Sequence, residues 1–175
     1  ILNITPDSFS DGGKFNNEKN ALHQAEKMIE EGATIIDIGA QSTRPNAVKL
    51  NATEEIGRLG KLISKIKKEF PETLISLDTF YADVVKFGFD EGIDIVNDIS
   101  AGQFDDEMLK TVAKTELPYI LMHGNSEYET MHEKQIETDI ILKLNQFISE
   151  KILKLNSYGS IRELFALQTS RVHKK

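Results

Sequence analysis

Short aliphatic runs alternate along this chain with longer stretches whose apolar positions recur every three or four residues. The runs are Ile1–Ile4, Thr34–Gly39, Leu74–Thr79, Asp94–Ile99 and Pro118–His123. Each is nearly continuous in apolar character, as expected of a strand covered on both faces. In the first helical stretch, Ala21, Leu22, Ala25, Met28 and Ile29 share a face, with Gly32 placed as a C-terminal stop. Ile56, Leu59, Ile63 and Ile66 share a second face, opened by Asn51 and Glu54 as a capping pair. Three more stripes follow: Val84/Val85/Gly88, Met108/Leu109/Val112, and a long one from Ile140 to Leu155. All read as core packing.

Five strand–helix units in succession predict the α/β class, with parallel strands and right-handed crossovers. Two architectures satisfy that pattern, an open doubly wound sheet and a TIM (β/α)8 barrel. The segments after the first two strands, Thr5–Asn17 and Ala40–Ala52, are longer than ordinary βα loops. Both architectures place their chemistry on such loops, at the carboxyl ends of strands. No glycine-rich dinucleotide fingerprint follows any strand, which favours the barrel.

A length of 175 residues predicts one domain. The net charge of −7 argues against a nucleic-acid partner, because phosphate neutralisation needs a cationic face. Without cysteine there is no disulfide, thiolate metal site or cysteine nucleophile. No apolar run reaches the roughly 18 residues of a membrane span. Ile1–Asp11 does not read as a signal peptide, so a cytoplasmic location with no membrane partner is expected.

The first long loop, Thr5-Pro6-Asp7-Ser8-Phe9-Ser10-Asp11-Gly12-Gly13, carries two carboxylates and three hydroxyls. The second, Gln41-Ser42-Thr43-Arg44-Pro45-Asn46, sets a guanidinium beside hydroxyls, a combination suited to phosphate oxygens. Asp78, Asn97 and His123 stand near the ends of otherwise apolar strands. A polar group there must find a partner or be costly.

These stretches, together with Asp37-Ile38-Gly39, Ser76-Leu77-Asp78-Thr79, Asn97-Asp98-Ile99 and Leu121-Met122-His123, resemble the dihydropteroate synthase family. They occur in that family's order over roughly residues 1–155. The resemblance implies a TIM barrel in which p-aminobenzoate displaces pyrophosphate from a 6-hydroxymethyl-dihydropterin pyrophosphate. It implies that Asp78 and Asn97 bind the amino-pyrimidinone edge of the pterin, with Met122 as an apolar wall. Asn3 and Asp37 correspond to the residues that hold Mg2+ on the pyrophosphate, and oxygen ligands suit that hard cation. Arg44 and Thr43 correspond to the pyrophosphate contact. Phe9 and Pro45 correspond to walls of the p-aminobenzoate site. Asp7 and Asp11 lie on the loop that closes over the substrates, and Asp11 is placed to stabilise a cationic pterin. A homodimer and a sulfonamide target are implied by the same analogy.

The chain also departs from the family. Ala40, Gln41 and Asn46 replace the usual Gly, Glu and Gly around Ser-Thr-Arg-Pro, and the loss of a carboxylate at position 41 bears on how the loop is held. The family's Asp-Pro-Gly-x-Gly-Phe-Gly-Lys and Ser-Arg-Lys segments are missing from the sequence. Arg171 and His173, in Ser170-Arg171-Val172-His173, resemble the anion-binding Arg-Val-His of the eighth strand but arrive early. Five units cannot close an eight-stranded barrel, so one incomplete pterin-binding barrel domain is expected over 1–175. In it, 1–155 forms the first five units and 156–175 holds fragments resembling the C-terminal part. Breaks are expected near His123/Gly124, near Gly159/Ser160 and within Gln168–Lys174. Two rival functions remain, a non-catalytic pterin-binding homologue and the pterin-binding domain of a corrinoid methyltransferase.

Overall fold

The structure, a computed structural model, describes residues 1–4, 14–41, 49–123, 140–159 and 164–169, with backbone alone at 14–17, 140 and 164–169. The elements are β1 (Leu2–Asn3), α1 (Lys14–Glu30), β2 (Ile35–Gly39), α2 (Ala52–Leu59), α3 (Leu62–Glu69), β3 (Leu74–Asp78), α4 (Ala82–Glu91), β4 (Ile95–Asp98), α5 (Met108–Thr115), β5 (Tyr119–His123), α6 (Ile140–Tyr158) and β6 (Leu164–Thr169). The six strands form one sheet in the order β1-β2-β3-β4-β5-β6, with every neighbouring pair parallel. A doubly wound sheet reverses strand order at a switch point, whereas a barrel runs sequentially. The observed order is that of six successive strands of a (β/α)8 barrel.

Every strand predicted from the aliphatic runs is present, trimmed by one or two residues. Three local readings change. The stripe Ile56/Leu59/Ile63/Ile66 spans two helices instead of one, because Gly60 turns to φ 53° and ends α2. α1 begins at Lys14, inside the segment read as loop. Phe15 is the one apolar residue of its first turn, too little to make a periodic stripe, and the turn extends a helix whose stripe begins at Ala21. A sixth strand, β6, pairs in parallel with β5, with an irregular step between Ile120 and Met122. The expected chain breaks lie outside the described residues.

Side chains alternate across the pleat. Ile36, Ile38, Ile75, Leu77, Val96 and Leu121 face the helices and are almost fully buried. They join Ala21 and Ala25 of α1, Leu59 of α2, Ile63 and Ile66 of α3, Val84 and Val85 of α4, and Met108, Leu109 and Val112 of α5 in one core. The capping box predicted for α2 is present: Glu54 N–H donates to Asn51 Oδ1 at 2.9 Å, and Asn51 N–H donates to Glu54 Oε2 at 2.9 Å.

Candidate functional site

The pleat puts the alternate strand residues on the opposite face. Register pairs Asn3 with Gly39, Asp37 with Ser76, Gly39 with Asp78, and Asp78 with Asn97, while Ile120 stands beside Asn97. Asn3, Asp37, Asp78, Asn97 and Met122 therefore share one face at the carboxyl ends of β1 to β5. Five residues far apart in sequence converge there because a parallel barrel aligns all its strand exits at one end. His123 reaches the same level but lies across the pleat, where its ring meets Phe147 edge-on at 4.9 Å. Asp7, Phe9, Asp11, Thr43, Arg44, Pro45, Arg171 and His173 lie outside the described residues.

The metal and pterin candidates are physically joined. Asp37 Oδ1 accepts from Ser76 Oγ at 2.6 Å, and Asn97 Nδ2 points at both Asp37 oxygens at 3.4 Å. Besides that donor nitrogen, the Asn97 amide carries an oxygen able to accept. Asp78 packs so closely on β2 that a Cβ at Gly39 would lie 3.3 Å from its Cβ and Oδ2. A larger residue at position 39 would press on the carboxylate itself.

No group of three or more His, Asp or Glu side chains among the described residues is placed to hold a metal alone. Asn3, exposed, and Asp37, half-buried, form a smaller set of oxygen donors on adjacent strands. An amide oxygen and a carboxylate are the donor chemistry that suits a hard cation.

Burial controls the acids here. It pushes the Asp78 carboxyl up to about 7, and the negative charges of Asp37, Glu55 and Asp98 add to the rise. Glu55, on α2, is also raised to about 7 by burial, with the Thr79 hydroxyl and Arg58 pulling against it. Their ordinary values are 3.8 and 4.5. Between those values and about 7 the folded chain binds more protons than the unfolded chain, so stability falls as pH rises through that interval. The melting temperature is expected to be lower at about pH 8 than at about pH 5, and Asp78→Asn to flatten the slope in thermal melts. A melting temperature that climbs over this range would contradict the assignment.

The structure adds residues that the motifs did not single out. Asp98, fully buried and facing the helices, accepts from Ser100 N–H, Ser100 Oγ, Gly102 N–H and Tyr119 OH, each at 2.7 Å. Burial still raises its pKa against those four bonds. The bonds shape the turn after β4, where Ala101 takes φ 50°. Asp105, farther along the same connection, caps α4 by accepting from Ala82 N–H at 2.8 Å.

The base of the second loop is tied despite the change at position 41. Gln41 is buried and its Oε1 accepts from Leu50 N–H at 3.0 Å, a bond that an amide oxygen makes as readily as a carboxylate. Tyr81 OH donates to Leu50 O at 2.6 Å, and Arg58 Nη1 to Ala40 O at 3.2 Å. Lys49 Nζ stands 5.1 Å from the Phe80 ring centroid and 5.3 Å from that of Phe104.

The family model "Pterin binding enzyme" matches residues 1–164. A dihydropteroate synthase of Synechocystis sp. is 42% identical over 167 residues, which cover 95% of this chain and 57% of that protein. Among solved structures, a Clostridium difficile dihydropteroate synthase determined in the presence of pteroic acid superposes with a TM-score of 0.84 at 34% identity, covering 94% of this chain and 60% of that one. A Xanthomonas albilineans dihydropteroate synthase with 4-aminobenzoic acid gives a TM-score of 0.81 at 30% identity, covering 97% of this chain and 62% of that one. The chain thus spans about three fifths of each relative's length. With its motifs, its strand order and its strand-end residues in agreement, the chain belongs to the pterin binding enzyme family.

Proposed function

We propose that this chain performs the chemistry of a dihydropteroate synthase, joining 6-hydroxymethyl-7,8-dihydropterin pyrophosphate to p-aminobenzoate. One observation carries the reading: Asp78 and Asn97 are register partners on the same face, with Met122 on that face of the next strand. A carboxylate accepts a pair of N–H donors, and an amide both donates and accepts. Together they match the amino-pyrimidinone edge of a pterin.

The bond between the pterin methylene carbon and the pyrophosphate oxygen breaks, and the amine nitrogen bonds to that carbon and loses a proton. The pterin ring delocalises positive charge, so departure can precede attack. The protein then has to bind both partners, steady the departing anion and exclude water. Arg44 and Thr43 are assigned to the anion, Asp11 and Asp7 to the loop covering the cation, and Phe9 and Pro45 to the aromatic amine. Arg171 and His173 are assigned to anion binding. Mg2+ on Asn3 and Asp37 would supply further positive charge to the pyrophosphate.

A homodimer, sulfonamide sensitivity and a cytoplasmic location belong to the same proposal, with no nucleic-acid or membrane partner. The net charge of −7 supports the first of these exclusions. No helix among the described residues is long and apolar enough to cross a membrane.

The test is pyrophosphate release, with the pterin pyrophosphate and p-aminobenzoate supplied together and singly. Release that requires both, with formation of dihydropteroate, is the expected result. Pterin binding without release would instead identify a non-catalytic homologue. Methyl transfer from a methyl-folate would identify the corrinoid-linked alternative.

A further inference from the structure

Leu50 is a buried residue whose two backbone groups are both held by side chains, one from each of two strand exits. Its N–H donates to Oε1 of Gln41, just past the end of β2, at 3.0 Å. Its carbonyl accepts from the hydroxyl of Tyr81, just past the end of β3, at 2.6 Å. Lys49, the residue before it, has Nζ 5.1 Å from the ring centroid of Phe80 and 5.9 Å from that of Tyr81. Residues 49 and 50 are thus fastened to the β3 exit by a hydrogen bond and cation–π contact, and to the β2 exit by a second hydrogen bond.

Tyr81 stands where helix capping alone would favour another residue type. It is the N-cap of α4, a position preferred by Ser, Thr, Asp and Asn, and its side chain makes no capping bond. The cap is supplied from elsewhere. Asp105 Oδ2 accepts from Ala82 N–H at 2.8 Å, and Thr79 Oγ1 accepts from Tyr81 N–H at 3.2 Å. The Tyr81 hydroxyl is directed instead at Leu50. Gln41 is a buried amide directly after the apolar Ala40, and a buried polar side chain is ordinarily kept where it is paired.

We propose that Gln41 and Tyr81 are positioning residues for the pyrophosphate end of the substrate, acting by fixing Leu50. The inference rests on the functional reading given above, which assigns Thr43 and Arg44 to the departing anion. Both of those residues lie in sequence between Gln41 and Leu50. Fixing the two ends of a short segment lowers the entropy it loses on engaging a ligand. The support is anchored in the sheet, because Thr79, which holds Tyr81 N–H, donates its own N–H to Asn97 O at 3.0 Å. Neither Gln41 nor Tyr81 has to touch the ligand. Their effect falls on the anion and not on the pterin ring, whose contacts Asp78 and Asn97 are set by strand register.

The experiment is a pair of fluorescence titrations on the full chain with Mg2+ present, one with 6-hydroxymethylpterin and one with its pyrophosphate. The variants are Tyr81→Phe, which removes the hydroxyl and keeps the ring, and Gln41→Met, which keeps the length and removes the amide. Thermal melts accompany both. Each variant is expected to bind the pyrophosphate ligand about fivefold or more weakly, and 6-hydroxymethylpterin within about twofold of the parent. The two variants release opposite backbone groups of Leu50, so one still reports if the other folds poorly. A folded variant that keeps the parental affinity for the pyrophosphate ligand would overturn the proposal. So would equal losses for both ligands, the mark of a purely structural role. A parent chain that binds neither ligand, or binds both equally, would instead overturn the functional reading itself.

Discussion

Asp78→Ala is expected to reduce pterin affinity by about 10- to 100-fold or more without lowering thermal stability near pH 8. The first half follows from hydrogen-bond accounting. A pterin edge bound at this face would lose the acceptor for its N–H donors, and a buried donor left unpaired costs about 1–3 kcal/mol, more where the lost partner carries charge. The second half follows from the site's own electrostatics. Asp78 ionises only near 7, because burial and three neighbouring acids oppose its charge. Removing the group relieves that opposition. Affinity is measured by titration of 6-hydroxymethylpterin and stability by thermal melts, and parental affinity in the variant would sink the assignment of Asp78 to the pterin.

The largest loss of stability is expected from Asp98→Ala. That carboxylate is completely buried and satisfies two backbone N–H groups, the Ser100 hydroxyl and the Tyr119 hydroxyl. The Ser100 hydroxyl can turn elsewhere, but Ser100 N–H, Gly102 N–H and Tyr119 OH are left without their acceptor. At about 1–3 kcal/mol for each unsatisfied group, and with incomplete additivity, a total of about 3 kcal/mol or more is expected. For a chain of this size that lowers the melting temperature by about 6–12 °C. Tyr119→Phe removes one donor and leaves Asp98 three partners, so a smaller loss is expected. Urea unfolding of both variants checks the order. Equal stability in parent and Asp98→Ala would show that the turn after β4 holds its shape without the acid.

The readable part of this fold was the part with periodicity. Ile36, Ile38, Ile75, Leu77 and Leu121 stand in short runs that announce covered strands, and the stripes of α1, α4 and α5 announce their partners. β6 was not predicted. The split between α2 and α3 was missed as well, because the apolar stripe runs on in phase across Gly60.

In the site, Asp78 and Asn97 were legible because each is a polar residue in an apolar strand. Glu55 was not, because a glutamate beside Glu54 near the start of a helix looks like an ordinary solvent-facing charge. Its burial depends on the tertiary packing of α2, which lies against α4. Asp98 follows Asn97 in sequence, yet the pleat turns it to the other face, where its role is to shape a turn.

By itself, the sequence determined the parallel α/β class and, through its motifs, the family, and it marked Asp78 and Asn97 as polar residues at the ends of apolar strands. The class follows from local periodicity and the family from a resemblance of motifs, and both survive without knowledge of any contact. Only the tertiary structure decided that Asp37 and Asn97 touch, that Gln41 still ties the second loop, and that Glu55 is buried without an aligned partner. It also decided that His123 packs on Phe147 instead of facing the pocket. Each of these depends on register and on the packing of helices over strand exits. They bring together residues tens of positions apart, and no local pattern encodes that meeting.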